Sequence, residues 1–162
     1  MVGRTGFGLC GIEHLKQAMK PVNTVPDTQI THLSHINQYL IFLHENQELA
    51  NRTGCTHAAV WLNEHGELAA IYEDVGRHVA LDKLIGARAK YSQLTKGAIL
   101  ITIRASYEIV KKATSVGVEI LFAVSAHTAL AINLAEESGL TLIGFCREGR
   151  ATIYTNKHRI IN

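Results

Sequence analysis

Ala98-Ile99-Leu100-Ile101-Thr102-Ile103, Glu119-Ile120-Leu121-Phe122-Ala123-Val124 and Leu140-Thr141-Leu142-Ile143-Gly144-Phe145 decide the fold. Each is a short, nearly continuous apolar run rather than an alternating one. Such runs form strands whose two faces are both covered. Between the first two runs, Ser106 is placed to cap a helix reaching about Val116, and Gly117 suits the position after its last turn. Between the second and third, a helix is expected over 126–138, stopped by Gly139. Strand, helix, strand, helix, strand with short links predicts parallel strands joined by crossover helices.

The pattern changes toward the amino end. His57 to Asn63 and Glu67 to Tyr72 read as two strands separated by Glu64-His65-Gly66, a hairpin that joins the same sheet. After Asp74-Val75-Gly76 a helical pattern resumes with Val79, Leu81, Leu84, Ile85 and Arg88. Ile30, Leu33, Ile36, Leu40 and Leu43 recur at helical intervals, so one long amphipathic helix is expected over 28–51, broken by Arg52-Thr53-Gly54. Residues 151–155 read as a short final strand. The predicted fold class is α/β, with a mixed, mostly parallel sheet and helices on both faces. Residues 1–27, with Thr5-Gly6-Phe7-Gly8-Leu9-Cys10-Gly11 and both prolines, read as a glycine-rich, cysteine-bearing loop and an irregular lead-in; residues 28–162 read as the α/β domain.

The chain has 162 residues, of which 47% are hydrophobic and 19% charged, and a formal net charge of +2. That balance excludes a disordered chain and is too mild to argue for nucleic-acid binding. No apolar run reaches the length of a membrane-spanning helix, and no secretory signal follows Met1. Three widely separated cysteines, Cys10, Cys55 and Cys146, suggest reduced thiols and a cytoplasmic setting. Cys55, directly before a strand, is expected to be buried.

In open α/β sheets, ligands bind beyond the carboxyl ends of the strands. That edge should gather Glu73 to His78, Arg104-Ala105-Ser106, Ser125-Ala126-His127 and Cys146 to Arg150. It brings Arg77, Arg104, Arg147 and Arg150 together with Ser106, Ser125, His78 and His127, and the helix N-termini there add free amides, which suits a phosphate or pyrophosphate. Glu73 and Asp74 are placed to accept hydrogen bonds from sugar hydroxyls or a guanine edge. Solvated arginines and plain helix-capping serines are the alternative for each residue singly. Cys10 between glycines suits an exposed nucleophile or sulfur carrier, or else an inert thiol. A zinc-dependent nucleobase deaminase is disfavoured: position 59 is Ala, and no Pro-Cys-x-x-Cys occurs.

Several motifs then stand in order: Arg4 to Gly11, Thr53-Gly54-Cys55-Thr56-His57-Ala58-Ala59, Glu73 to His78 followed by Asp82-Lys83, Arg104-Ala105-Ser106-Tyr107-Glu108, Gly117-Val118-Glu119-Ile120, Gly144-Phe145-Cys146-Arg147 and Gly149-Arg150-Ala151. Together they closely resemble the formate dehydrogenase accessory sulfurtransferases, the FdhD/NarQ family, over essentially the whole chain. The resemblance implies a cytidine-deaminase-like fold without the zinc site. It implies a sulfur carrier that takes sulfur from a cysteine desulfurase as a persulfide and hands it to the molybdenum (or tungsten) of the bis-molybdopterin guanine dinucleotide cofactor, before that cofactor enters formate dehydrogenase. The family's cofactor-binding stretch maps onto Phe145, Cys146, Arg147, Glu148, Gly149 and Arg150, with guanine nucleotides able to occupy it; Arg77, Arg104 and His127 are secondary candidates from the sheet argument alone. Homodimers are typical of the family. Members usually carry roughly a hundred further residues before this region, so the chain resembles the carboxy-terminal portion. The family's loop commonly reads Cys-Gly-x-Cys. Here its first cysteine is replaced by Phe7 and only Cys10 remains. The resemblance therefore implies either sulfur carriage on Cys10 or a non-catalytic cofactor-binding chaperone that has lost sulfur transfer.

Overall fold

The computed structural model describes residues 23–91 and 96–161. In chain order these form β1 (Thr31–His32), α1 (Ile36–Asn46), α2 (Glu48–Thr53), β2 (His57–Asn63), β3 (Leu68–Asp74), α3 (Arg77–Lys90), β4 (Gly97–Ile101), α4 (Tyr107–Ser115), β5 (Ile120–Ala123), α5 (Ala129–Ser138), β6 (Thr141–Arg147), β7 (Arg150–Ile153) and β8 (Ile160–Ile161). Six strands make one sheet in the order β3-β2-β4-β5-β6-β7, and β1 pairs with β8 separately. The sheet is mixed, as expected. Its parallel part is confined to β4, β5 and β6; the β2–β3, β2–β4 and β6–β7 pairings are antiparallel. Parallel pairing does not therefore predominate. The hairpin enters between β4 and the sheet's edge, and the last strand folds straight back on β6.

Alternation along the strands builds two cores. Leu121 of β5 and Leu142 of β6 face α3, α4 and α5 through Leu81, Leu84, Ile109, Val110 and Leu134. Phe122 and Ile143, one residue further on, face the other side and meet Ile36, Tyr39 and Leu43 of α1. Helices thus cover both faces, and this double covering is why the strands read as unbroken apolar runs. Each fully buried Leu, Ile or Phe contributes about 1.5–3 kcal/mol.

The expected helix over 28–51 is shorter and broken. Residues 31–32 pair with β8, and the chain bends at Gln47, φ −84° and ψ 72°. The break has a cause distant in sequence. The Glu73 carboxylate accepts the Leu49 and Ala50 amides at 2.8 and 2.9 Å, starting α2 as a separate turn. Gly54 ends α2 in the left-handed region, as the sequence predicts. Helix α5 starts three residues later than expected, because His127 bridges Ala105 in extended conformation; Thr128, accepting the Ala131 amide at 3.2 Å, is its cap rather than Ser125.

At the amino edge of the parallel strands the ends of the domain are tied together. Glu119 is 2% exposed and accepts the Thr28 amide and hydroxyl, both at 2.7 Å, and the Gln29 amide at 3.0 Å. Arg159, equally buried, lies 3.5 Å from Glu119 and donates to the Gly139 and Pro26 carbonyls at 2.6 and 2.8 Å. Among the described residues no helix is long and apolar enough to cross a membrane.

Candidate functional site

Register places the strand tails. His57 opens β2 opposite Asp74, which closes β3, and Ala59 pairs with Ile101 at the end of β4. Arg147 of β6 pairs with Arg150 of β7. The β3–α3 turn, the β4–α4 loop, the segment after β5 and the β6–β7 hairpin therefore all emerge on the carboxyl edge of the parallel strands, where α/β sheets bind ligands. The arginines do not share one cradle, however. Arg77 and Arg104 line one cavity, Arg150 lines others, and Arg147 lines none of those described.

The first cavity, about 510 Å³, lies between the starts of α3 and α4 and is lined by His57, Val75, Gly76, Arg77, His78, Val79, Arg104, Ser106 and Glu108. Arg77 and Arg104 thus meet as the sequence predicts. Gly76 precedes α3 and Ser106 precedes α4, and neither makes a side-chain cap to its own helix. Among the described residues the Ser106 hydroxyl has no hydrogen-bond partner. Burial and the neighbouring Lys112 and Arg77 charges hold the His78 pKa below its ordinary value, against the opposing pull of Glu108 and Asp82.

The second group of residues belongs to the β6–β7 hairpin. Phe145 sits in the left-handed region, φ 49°, within an irregular stretch of β6 between Gly144 and Arg147. This conformation costs a bulky residue about 1–2 kcal/mol and turns its ring outward, 44% exposed. Phe145, Arg150, Ala151 and Thr152 enclose about 300 Å³. Arg150 also closes a neighbouring hollow of about 260 Å³ against Leu33, Ser34, Ile36 and Asn37 of the α1 region. The Gly149 amide donates to the Asn37 side chain at 2.8 Å, holding the hairpin tip over α1. Arg147 turns back to the Val124 carbonyl and to its own strand, where it donates to the Cys146 carbonyl at 2.9 Å. Glu148 is exposed at the tip.

Several expectations need correction. The Cys146 side chain points into the α1-side core with no exposure, and burial pushes its thiol up to about 12, so the thiol does not reach the site. Both ring nitrogens of His127 are shut off from solvent and lack partners among the described residues, and burial drives its pKa to about 4. A neutral, occluded imidazole is no phosphate contact. Glu73 is engaged by α2 and by the Thr56 hydroxyl at 2.8 Å; these hydrogen bonds outweigh burial and lower its pKa. Asp74 accepts the Gly76 amide at 2.8 Å and pairs with Lys83 at 2.6 Å. Neither carboxylate is open to a sugar or base. Cys55 is exposed, not buried, and Cys10 lies outside the described residues.

Sequence reasoning missed Asn37, which reaches the site only because α1 crosses beneath the hairpin tip. It also missed Glu108, which its place in the first turn after the Arg104 loop could have signalled.

The crystal structure of a putative formate dehydrogenase accessory protein from Desulfotalea psychrophila is similar to this chain, with a TM-score of 0.77 and 27% sequence identity. The likeness covers 85% of this chain and 62% of that one, so the chain spans less than two thirds of that protein's length. The model of the FdhD/NarQ family matches residues 1–161. By that match the chain belongs to the FdhD/NarQ family.

Proposed function

We propose that the protein is an accessory factor of formate dehydrogenase maturation that holds a guanine-dinucleotide molybdenum cofactor, as its substrate, on the carboxyl edge of the sheet and delivers sulfur to it from a cysteine desulfurase. The observation that carries the nucleotide part is Phe145: an aromatic ring held outward by a strained backbone, beside Arg150, which makes no ion pair or hydrogen bond among the described residues. A ring offers a stacking face to a base, and an unpaired guanidinium takes a phosphate oxygen pair. The Gly149 and Arg150 end of the hairpin completes the cradle, and the Arg147 guanidinium, turned back to the Val124 and Cys146 carbonyls, braces the hairpin from below. Calorimetry with guanosine diphosphate tests it. Arg150→Ala should weaken binding by about 1.5–3 kcal/mol; unchanged affinity would remove the assignment.

Sulfur would travel on Cys10. Val25 is anchored to Ser138 near the amino edge, its amide 2.9 Å from that carbonyl. The chain between Cys10 and Val25 can extend by about 50 Å, more than the roughly 23 Å length of a seven-residue strand. Phe7 favours a second reading, a cofactor-binding chaperone without sulfur transfer, because the thiol expected at that place is missing. Incubation with a cysteine desulfurase and cysteine separates the two. A persulfide that disappears in Cys10→Ser supports the carrier. No persulfide on the unaltered protein, with guanosine diphosphate still bound, supports the chaperone.

A further inference from the structure

The cavity between α3 and α4 is separate from the Phe145–Arg150 cradle, and its chemistry differs. We propose that it is not part of the nucleotide site but the seat of the sulfur itself, holding the terminal sulfur anion of a protein persulfide between Arg77 and Arg104. The inference rests on the sulfur-carrier reading above and gives the two arginines a role distinct from phosphate contact.

Three observations support it. The first is charge. Neither Arg77 nor Arg104 makes an ion pair or hydrogen bond among the described residues, and Glu108 is the one carboxylate on the described lining. Two guanidinium groups against one carboxylate leave a net positive floor. A persulfide is a stronger acid than its parent thiol, so its outer sulfur arrives as an anion and lowers its energy there.

The second is the supply of donors. Helices α3 and α4 both begin at the cavity, and neither N-cap residue, Gly76 or Ser106, spends a side-chain oxygen on its own helix; Asp74 takes only the Gly76 amide, ahead of the first turn of α3. Beside them the Ser106 hydroxyl has no partner among the described residues, although its oxygen is shut off from solvent. A buried hydroxyl left without a hydrogen bond is costly and signals a group that is satisfied by something else.

The third is shape. A free oxyanion would fill little of 510 Å³. Val75 and Val79, 71% and 44% exposed, form an apolar lip at the mouth. An anion carried on a polypeptide loop uses such a lip, since its aliphatic neighbours pack there while the charge goes inward. The same cationic floor would accept a nucleotide phosphate, and the experiment discriminates between these sources.

The test is calorimetry on the full chain with thiosulfate, which carries an exposed terminal sulfur and contains no nucleotide. Thiosulfate should bind the unaltered protein more tightly than sulfate does. Its dissociation constant should rise about tenfold in Arg77→Gln and in Arg104→Gln, and saturating guanosine diphosphate should leave it unchanged. Both arginines are exposed, so matching thermal unfolding of the variants confirms that the fold is intact. Displacement by guanosine diphosphate would make the arginines nucleotide contacts and overturn the proposal. So would sulfate binding as tightly as thiosulfate, or thiosulfate failing to bind. If a desulfurase still loads Cys10 while thiosulfate fails to bind, this cavity loses its role and the carrier reading survives. If Cys10 is never loaded, the carrier reading itself fails.

Discussion

The imidazole of His127 occupies the space into which any side chain at Gly144 would project. Its ring is wedged between that bare stretch of β6 and the edge of Tyr154, with centroids 4.5 Å apart at 87°. The irregular part of β6 that presents Phe145 starts at this point, so the hairpin's shape depends on a glycine and a histidine fitting each other.

Gly144→Ala should therefore destabilise the protein by about 3 kcal/mol through overpacking against the ring. Urea denaturation of Gly144→Ala, His127→Ala and the double variant measures the coupling. The double variant should lose clearly less than the two single losses together; strict additivity would show that the ring and the glycine do not compete for space.

Burial holds the His127 pKa at about 4, below its ordinary 6.5. A depressed histidine pKa means that the unfolded chain binds the proton first. The stabilising effect of the neutral ring is complete above pH 6.5 and is lost as the pH falls toward 4, by about 3 kcal/mol at most. His78, shifted the same way, adds to the trend. The lowered carboxylates Glu73 and Asp74 give up their contributions only in more acid solution. Denaturation midpoints at about pH 7 and about pH 4.5 should differ, and His127→Gln should flatten the difference. An equal slope in the variant would clear His127 of the effect.

Replacing Phe145 by Gly relieves a left-handed backbone at the expense of a largely exposed ring. Stability should hold or rise by up to about 1 kcal/mol, while affinity for guanosine diphosphate falls about tenfold as the stacking face goes. A variant that binds as tightly as the parent would show that the ring is no platform.

The described cysteines should separate under alkylation. Cys55 is exposed and should react with iodoacetamide in the native protein. Cys146 is fully buried with its thiol raised to about 12, so it should react only on global unfolding. Peptide mapping by mass spectrometry reads both; early labelling of Cys146 would mean that the α1-side core opens locally.

Glu119→Ala removes the buried carboxylate 3.5 Å from Arg159, leaves that guanidinium only the exposed Asp27 carboxylate at 2.9 Å, and strands the Thr28 and Gln29 amides. Breaking a buried pair outright costs about 3–5 kcal/mol, and the retained Asp27 contact places the expected loss at the lower end, about 3 kcal/mol. A loss below about 1 kcal/mol would reduce the pair to the standing of a surface contact.

The parallel core was legible because its evidence is local. Apolar runs at Ile99, Leu121 and Leu142, with Gly117 and Gly139 as helix stops, carry their meaning within a few residues. The segment 28–51 was misread for the opposite reason. Ile30 and Leu33 keep the helical period, but the chain there is drawn to Ile160 and the helix is cut by Glu73, neither visible from the local pattern. The candidate site divides the same way. Strand-tail reasoning put Arg77, Arg104, Arg147 and Arg150 on one edge, because the direction of each strand follows from its connections. It could not separate Arg77 and Arg104 from Arg150, which depends on how far apart β3 and β6 stand in the strand order. Nor could it see that His127 faces inward, since that rests on a glycine in another strand.

The buried carboxylate–guanidinium clasp has a kinetic meaning as well. It joins Thr28 to Glu119 across 91 positions and Pro26 to Arg159 across 133. Contacts between such distant points carry the largest loop-closure entropy, so they close after the helices and hairpins have formed. Weakening this clasp should leave the refolding rate nearly untouched and speed escape from the native state. The molecule's lifetime, more than its route to the fold, is set where its two ends are fastened.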